Sequence, residues 1–143
     1  MSKKINGNHL NANAFKRNAQ ERKSITFSWK YLTTSKNYTF SSFANDMRKE
    51  MEARRALSSL VIELSSLSWY DILCLKKNAR CGFEQLQLSD LNFSPNGYFF
   101  ASDEKVAVFR FGNQKYRMIG IMKEDTLHII GYDFDYSAYN HGS

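Results

Sequence analysis

Apolar and polar residues alternate in three runs, Lys105–Phe111, Tyr116–Met122 and Thr126–Phe134, broken by Gly112-Asn113-Gln114-Lys115 and Lys123-Glu124-Asp125. A period of two marks strands, and links this short join antiparallel neighbours, so the runs predict a meander. A fourth strand is predicted at Phe83–Leu88, with Leu86 and Leu88 on one side. It precedes the turn Ser94-Pro95-Asn96-Gly97, which uses the only proline. Upstream, Ile25, Phe27, Trp29 and Tyr31 alternate with Thr26, Ser28, Lys30 and Leu32, which predicts a strand with one aromatic face. Such a row is either a core face or a platform for stacking bases.

The period becomes helical over residues 41–67. Met47, Met51, Leu57, Leu60, Val61, Leu64 and Leu67 recur at spacings of three, four or six. Ser41 and Ser42 offer caps, and Glu50, Glu52, Arg54 and Arg55 fill the polar side. Ser68-Trp69-Tyr70-Asp71 is an S-x-x-D start signal for a second, shorter helix to about Asn78, burying Trp69, Ile72, Leu73 and Leu75. Gly82, after Arg80-Cys81, suits a left-handed stop. There is no internal repeat. The pattern predicts one α+β domain over residues 25–143, with two helices packed on a four- to five-stranded antiparallel sheet, behind a leader of residues 1–24.

Charge changes the picture at the front. Residues 1–55 hold 12 Lys/Arg and 4 Asp/Glu, residues 56–143 hold 8 and 10, and the whole chain carries +6. The leader has six cations against one Glu, and only Ile5, Leu10 and Phe15 are large and apolar. It is either a floppy tail or an arm that orders on a nucleic acid or protein surface. The expectation adopted is an arm that is mobile alone and ordered in complex, dispensable for folding and important for binding a polyanion. A cationic leader on a near-neutral domain points most often to nucleic acid. Candidate phosphate-binding residues are Lys3, Lys4, Lys16, Arg17, Arg22, Lys23, Lys30, Arg48, Arg54 and Arg55, with Phe15 as a stacking anchor. The cations of residues 48–55 also read as a solvated face balanced by glutamates.

Other chemistry is sparse. Cys74 and Cys81 have no CxxC spacing and no nearby histidine, so they read as buried or free thiols of a reducing compartment. His9, His128 and His141 give no metal spacing, and His128 reads as a satisfied core histidine. No phosphate loop, dinucleotide fingerprint or nucleophile elbow is present. No cofactor or metal is expected. No apolar run is long enough to span a bilayer and the N-terminus is no secretory signal, so a soluble cytoplasmic protein without membrane contact is expected.

Hairpin register brings two arginines together. If the first hairpin closes evenly around Asn113-Gln114, Phe111 faces Tyr116, Arg110 faces Arg117, Val108 meets Ile119 and Val106 meets Ile121. If the second closes evenly around Glu124-Asp125, Ile121 meets His128, Ile119 meets Ile130 and Arg117 meets Tyr132. One face then carries Val106, Val108, Ile119, Ile121 and Ile130, bounded by Arg110, Arg117 and Tyr132. The other carries Ala107, Phe109, Phe111, Tyr116, Met118, Met122, Leu127 and Ile129. Opposed arginines repel, which suggests a shared anion such as phosphate; alternatively each finds its own carboxylate, with Asp133 and Asp135 nearby. The helices can cover one face. The other needs the residue 25–32 segment, the leader or a partner. The tail from Asp133 to His141 packs Asp133, Asp135, Tyr136, Tyr139 and His141 together. It suits either general acid–base chemistry or an aromatic C-terminal plug.

The stretch VFRFGNQKYRMIGI followed by LHIIGYDFDYSAY, behind two helices in residues 41–139, resembles the core of RelE-like ribosome-dependent RNA-cleaving toxins. The resemblance implies that Arg110 and Arg117 match strand arginines that grip the scissile phosphate, and that Tyr136 or Tyr139 matches a C-terminal aromatic. The family's "GHR" close stands here as Gly131-Tyr132-Asp133, followed by Asp135, and the first 40 residues are extra. These departures favour a non-catalytic binder of RNA or a ribonucleoprotein over an endoribonuclease. The compact basic composition is similar to accessory proteins of phages in bacterial hosts, including anti-CRISPR inhibitors of RNA-guided defence. A protein–protein inhibitor docking an acidic host protein is the third expectation.

Overall fold

The computed structural model describes residues 23–75, 82–97 and 99–140. Its elements are β1 (Thr26–Ser28), α1 (Met47–Ser65), α2 (Trp69–Leu73), β2 (Phe83–Gln87), β3 (Lys105–Phe111), β4 (Tyr116–Lys123) and β5 (Thr126–Asp133). The α+β class, the two helices and the meander are as expected, and the described sheet has five strands in the order β1-β5-β4-β3-β2. It is mixed rather than antiparallel. The pairs β2–β3, β3–β4 and β4–β5 are antiparallel, but β1 lies parallel to β5. Link length sets the direction of hairpin neighbours only. β1 reaches its place from far along the chain and is held there by side chains. Thr26 and Thr126 hydroxyls are 2.8 Å apart, and Lys23 pairs with Asp125 at 2.9 Å.

Several local expectations shift. The predicted strand over 25–32 shortens to three residues, because the chain turns where Leu32 N–H donates to the Trp29 carbonyl. Phe27 and Trp29 stay on the helix side, and Trp29 Nε1 donates to the Tyr132 hydroxyl at 2.7 Å. Tyr31 crosses to the other face, against Phe100 and His128. The long helix starts at Met47 instead of residue 41. Phe40–Phe43 form a 3-10 turn, and Ala44 at φ 52° breaks the path between them. Asp46 is the N-cap of α1, accepting from Lys49 N–H at 3.1 Å. Ser41 and Ser42 cap nothing there. The buried stripe of α1 runs through Ala53, Leu60 and Leu64, and Met51, two positions from Ala53 and so about 200° round the helix, faces solvent with Met47. α2 has the predicted Ser68/Asp71 capping box but stops at Leu73, which is exposed, while Ile72 is buried. The Arg80-Cys81 stop lies outside the described residues.

Two apolar layers sandwich the sheet. Ala107, Phe109, Phe111, Tyr116, Met118, Leu127 and Ile129 pack against Leu60, Leu64 and Ile72 from the helices, which is the face expected from the alternation. The opposite face carries Val106, Val108, Ile119, Ile121 and Ile130. Its cover is Tyr31 and Tyr38 from the N-terminal segment, Phe93 and Phe100 from the β2–β3 connection, and Ala138 and Tyr139 from the tail. Tyr31 belongs to the expected 25–32 cover and Tyr139 is the expected C-terminal aromatic plug; Tyr38 and the β2–β3 connection are additional.

The first hairpin has the predicted register, with Arg110 opposite Arg117 and Phe111 opposite Tyr116. The second departs from it. A bulge between Ile119 and Gly120 leaves Ile121 opposite His128 but sets Ile119 against Gly131 and Arg117 against Asp133. Tyr132 therefore moves to the helix face, and Asp133 takes its place beside the arginines. Gly131 makes this possible: a Cβ there would lie 2.6 Å from the Phe93 ring, which stacks on Tyr38 at 4.7 Å.

Candidate nucleic-acid interface

Strands β3 and β4 deliver Arg110 and Arg117 side by side at the end of the loop-covered face, and both are turned inward. Arg117 is 5% exposed. Its Nη1 donates to the Gln114 carbonyl at 2.7 Å and the Tyr116 carbonyl at 3.3 Å, and its guanidinium lies 5.0 Å from the Tyr136 ring centre. Arg110 Nη1 donates to Gln114 Oε1 at 3.1 Å, and its Nη2 is 3.8 Å from Glu84 Oε2. The Nε of each arginine is buried without a hydrogen-bond partner. Glu84 comes from β2, opposite Val108, and so shares the face with Arg110. The Tyr139 hydroxyl donates to Glu84 Oε2 at 3.3 Å. Burial first, and the charge of Glu84 second, push the Tyr139 phenol up to about 12, so it keeps its proton at neutral pH.

The tail is pinned by Asp133, which is 1% exposed. Its carboxylate accepts backbone N–H groups of Asp135, Ser137 and Ala138 at 3.3, 3.0 and 3.2 Å. Tyr139 is thereby buried as the aromatic plug, while Tyr136 stays half-exposed at φ 61°, a conformation that a bulky residue adopts only when its surroundings hold it there.

Exposed cations gather elsewhere, on α1 and on the β3–β4 turn. A cleft of about 600 Å³ opens between these two elements. Arg55 lines it from α1, Lys115 from the turn and Arg110 from β3. Among the described residues Arg48, Lys49, Arg55 and Lys115 have no carboxylate partner. Arg54 is engaged: it pairs with Glu50 at 2.8 Å and covers the Phe40 ring at 4.2 Å. Lys23 is held by Asp125, and Lys30 sits 5.5 Å from the Tyr31 ring centre. Lys3, Lys4, Phe15, Lys16, Arg17, Arg22 and His141 lie outside the described residues, as does the expectation of a mobile leader. His128 is not the satisfied core histidine expected. It is half-buried, its Nδ1 has no partner, and burial, then Lys30, lower its pKa.

Sequence reasoning missed Glu84 and Lys115. The register that brings Glu84 to Arg110 depends on a strand separated from β3 by residues 88–104, beyond the reach of a hairpin argument. Lys115 was legible as a turn residue, but its proximity to α1 was not. Among the described residues no group of His, Cys, Asp and Glu could hold a metal ion, and no helix is long and apolar enough to cross a membrane. No family model matches the chain, and no curated protein or solved structure matches it either.

Proposed function

We propose that this chain binds RNA, alone or within a ribonucleoprotein, and does not cleave it. The supporting observation is the cleft that Arg55 and Lys115 line from opposite elements, each without a carboxylate partner among the described residues. Two exposed cations on opposite walls of a cleft attract a phosphate between them. Arg48 and Lys49 on the same helix lengthen the basic track, and residues 1–22 add five more cations by sequence. The inward setting of Arg110, Arg117 and Tyr139 favours binding over cleavage. The proposal includes the RelE-like relationship and a role in the bacterial cytoplasm as a phage-type accessory protein, of which inhibition of an RNA-guided defence complex is one form.

Fluorescence anisotropy with a single-stranded RNA tests it. Affinity of the full chain is expected to fall by orders of magnitude between about 50 and 200 mM salt. The double variant Arg55→Ala/Lys115→Ala is expected to bind about tenfold more weakly with a shallower salt slope. No binding at low salt, or binding flat across that range, overturns the proposal. Purification free of RNA at low salt, together with capture of an acidic protein, would establish the protein-inhibitor reading instead.

One observation favours a second reading: a carboxylate, a phenol and two guanidinium groups meet at Glu84, Tyr139, Arg110 and Arg117. Such a group suits endoribonuclease chemistry, with arginines stabilising the phosphorane and the phenol donating a proton. Growth arrest and transcript cleavage on expression, both relieved by Arg117→Ala and by the milder Glu84→Gln, would establish it.

A further inference from the structure

The cleft between α1 and the β3–β4 turn carries more than phosphate-binding groups. Glu52, Arg55, Ser59 and Glu63 stand at i, i+3, i+7 and i+11 of α1 and line one wall, with Glu63 engaged in an interaction of its own. Asn113, Gln114 and Lys115 line the other. The apolar floor between them includes Ala56, Phe111 and Tyr116. The walls approach closely at Gly112, where a Cβ would lie 2.7 Å from the Tyr116 ring and 3.7 Å from the Ala56 Cβ. Glu52 is exposed and, like Arg55, takes part in no ion pair among the described residues. A site for phosphate alone would gain nothing from a carboxylate on its rim, since like charges repel. A ligand with an anionic end, a flat apolar body and an edge of paired donors uses all three features.

Resting on the RNA reading, we infer that this cleft is a subsite for one unstacked guanine nucleotide. The guanine N1–H and N2 amino group are adjacent donors that match the two oxygens of Glu52. Adenine, cytosine and uracil offer no such parallel pair. The base lies on the apolar floor and the phosphate sits between Arg55 and Lys115. Unpaired bases read on their Watson–Crick edge are the usual targets of sequence-specific RNA recognition. The cleft volume, about 600 Å³, falls within the range of roughly 300–1,000 Å³ usual for small-ligand sites.

The test titrates the isotopically labelled full chain with 5′-GMP and with 5′-UMP and follows backbone amides by NMR. GMP is expected to shift Ser59, Gly112 and Lys115 and to bind about tenfold more tightly than UMP. Glu52→Gln is expected to remove that preference while leaving UMP affinity within twofold. Arg55→Ala is expected to weaken both nucleotides. Both substitutions fall on exposed helix positions, so folding is preserved. Equal affinity for the two nucleotides, shifts confined to another surface, or an unchanged preference in Glu52→Gln overturns the inference. RNA binding by anisotropy alongside any of these failures leaves the RNA reading standing. GMP binding in the cleft without RNA binding keeps the guanine subsite and overturns the RNA reading.

Discussion

On its helix-covered side the sheet presents Phe109, Met118, Leu127 and Ile129 to Leu60, Leu64 and Ile72. On its loop-covered side the same strands present Val108, Ile119 and Ile130, and then Glu84, Arg110, Arg117 and Asp133. The difference lies in what each cover brings. A helix satisfies its own backbone, so it docks by an apolar stripe and asks for no polar partner. Loops and a tail bring unpaired N–H and C=O groups into contact with the sheet, and those groups need partners. Asp133 answers three tail N–H groups, Arg117 answers two carbonyls at the β3–β4 turn, and Asn92 Nδ2 donates to the Ser137 carbonyl at 2.7 Å. Charge at this end of the sheet is thus first a consequence of loop covering. Among the described residues, exposed cations without a carboxylate partner cluster on α1 and the turn.

Breaking the helix-covered side should have the largest effect. Phe109 is fully buried among Phe83 and its neighbours. Phe109→Ala is expected to lower stability by about 4 kcal/mol, measured by urea unfolding with an unchanged m-value. The loop-covered side should respond to Gly131→Ala by about 2 kcal/mol, since the new Cβ must displace the Phe93 ring from its stack on Tyr38. A second variant, Phe93→Leu in the Gly131→Ala background, should recover part of that loss if the clash is its cause. No loss of stability in Gly131→Ala, or no recovery with Phe93→Leu, would show the contact to be unimportant.

The smallest effect separates the faces by pH. The folded Tyr139 phenol stands at about 12, above its ordinary 10.0, so the unfolded chain loses this proton first as pH rises. Its contribution is complete below pH 10 and is lost as pH climbs through 10 to about 12. Tyr132, on the helix face, is also raised by burial and acts with the same sign. Tyr139→Phe should flatten the alkaline limb of the stability curve and leave the remainder to Tyr132. An identical alkaline limb in the variant would show that Tyr139 titrates as an ordinary phenol.

Much of this architecture follows from neighbouring residues alone. The alternation in residues 105–133, the four-residue link at Gly112–Lys115 and the Ser68/Asp71 box are local signals, and local geometry is enough to place Arg110 opposite Arg117. Other decisions needed residues far apart in the chain. The extra residue of the second hairpin, Ile130, has its carbonyl taken by Thr33 N–H at 2.8 Å, and Gly131 beside it receives Phe93. Together they turn Tyr132 to one face and Asp133 to the other. The direction of β1, the helix break at Ala44 and the meeting of Glu84 with Arg110 are of the same kind. Each depends on which distant group supplies a backbone partner or fills a space. A pattern of apolar and polar positions carries the period of an element, but it does not record the distant atoms against which that element comes to rest.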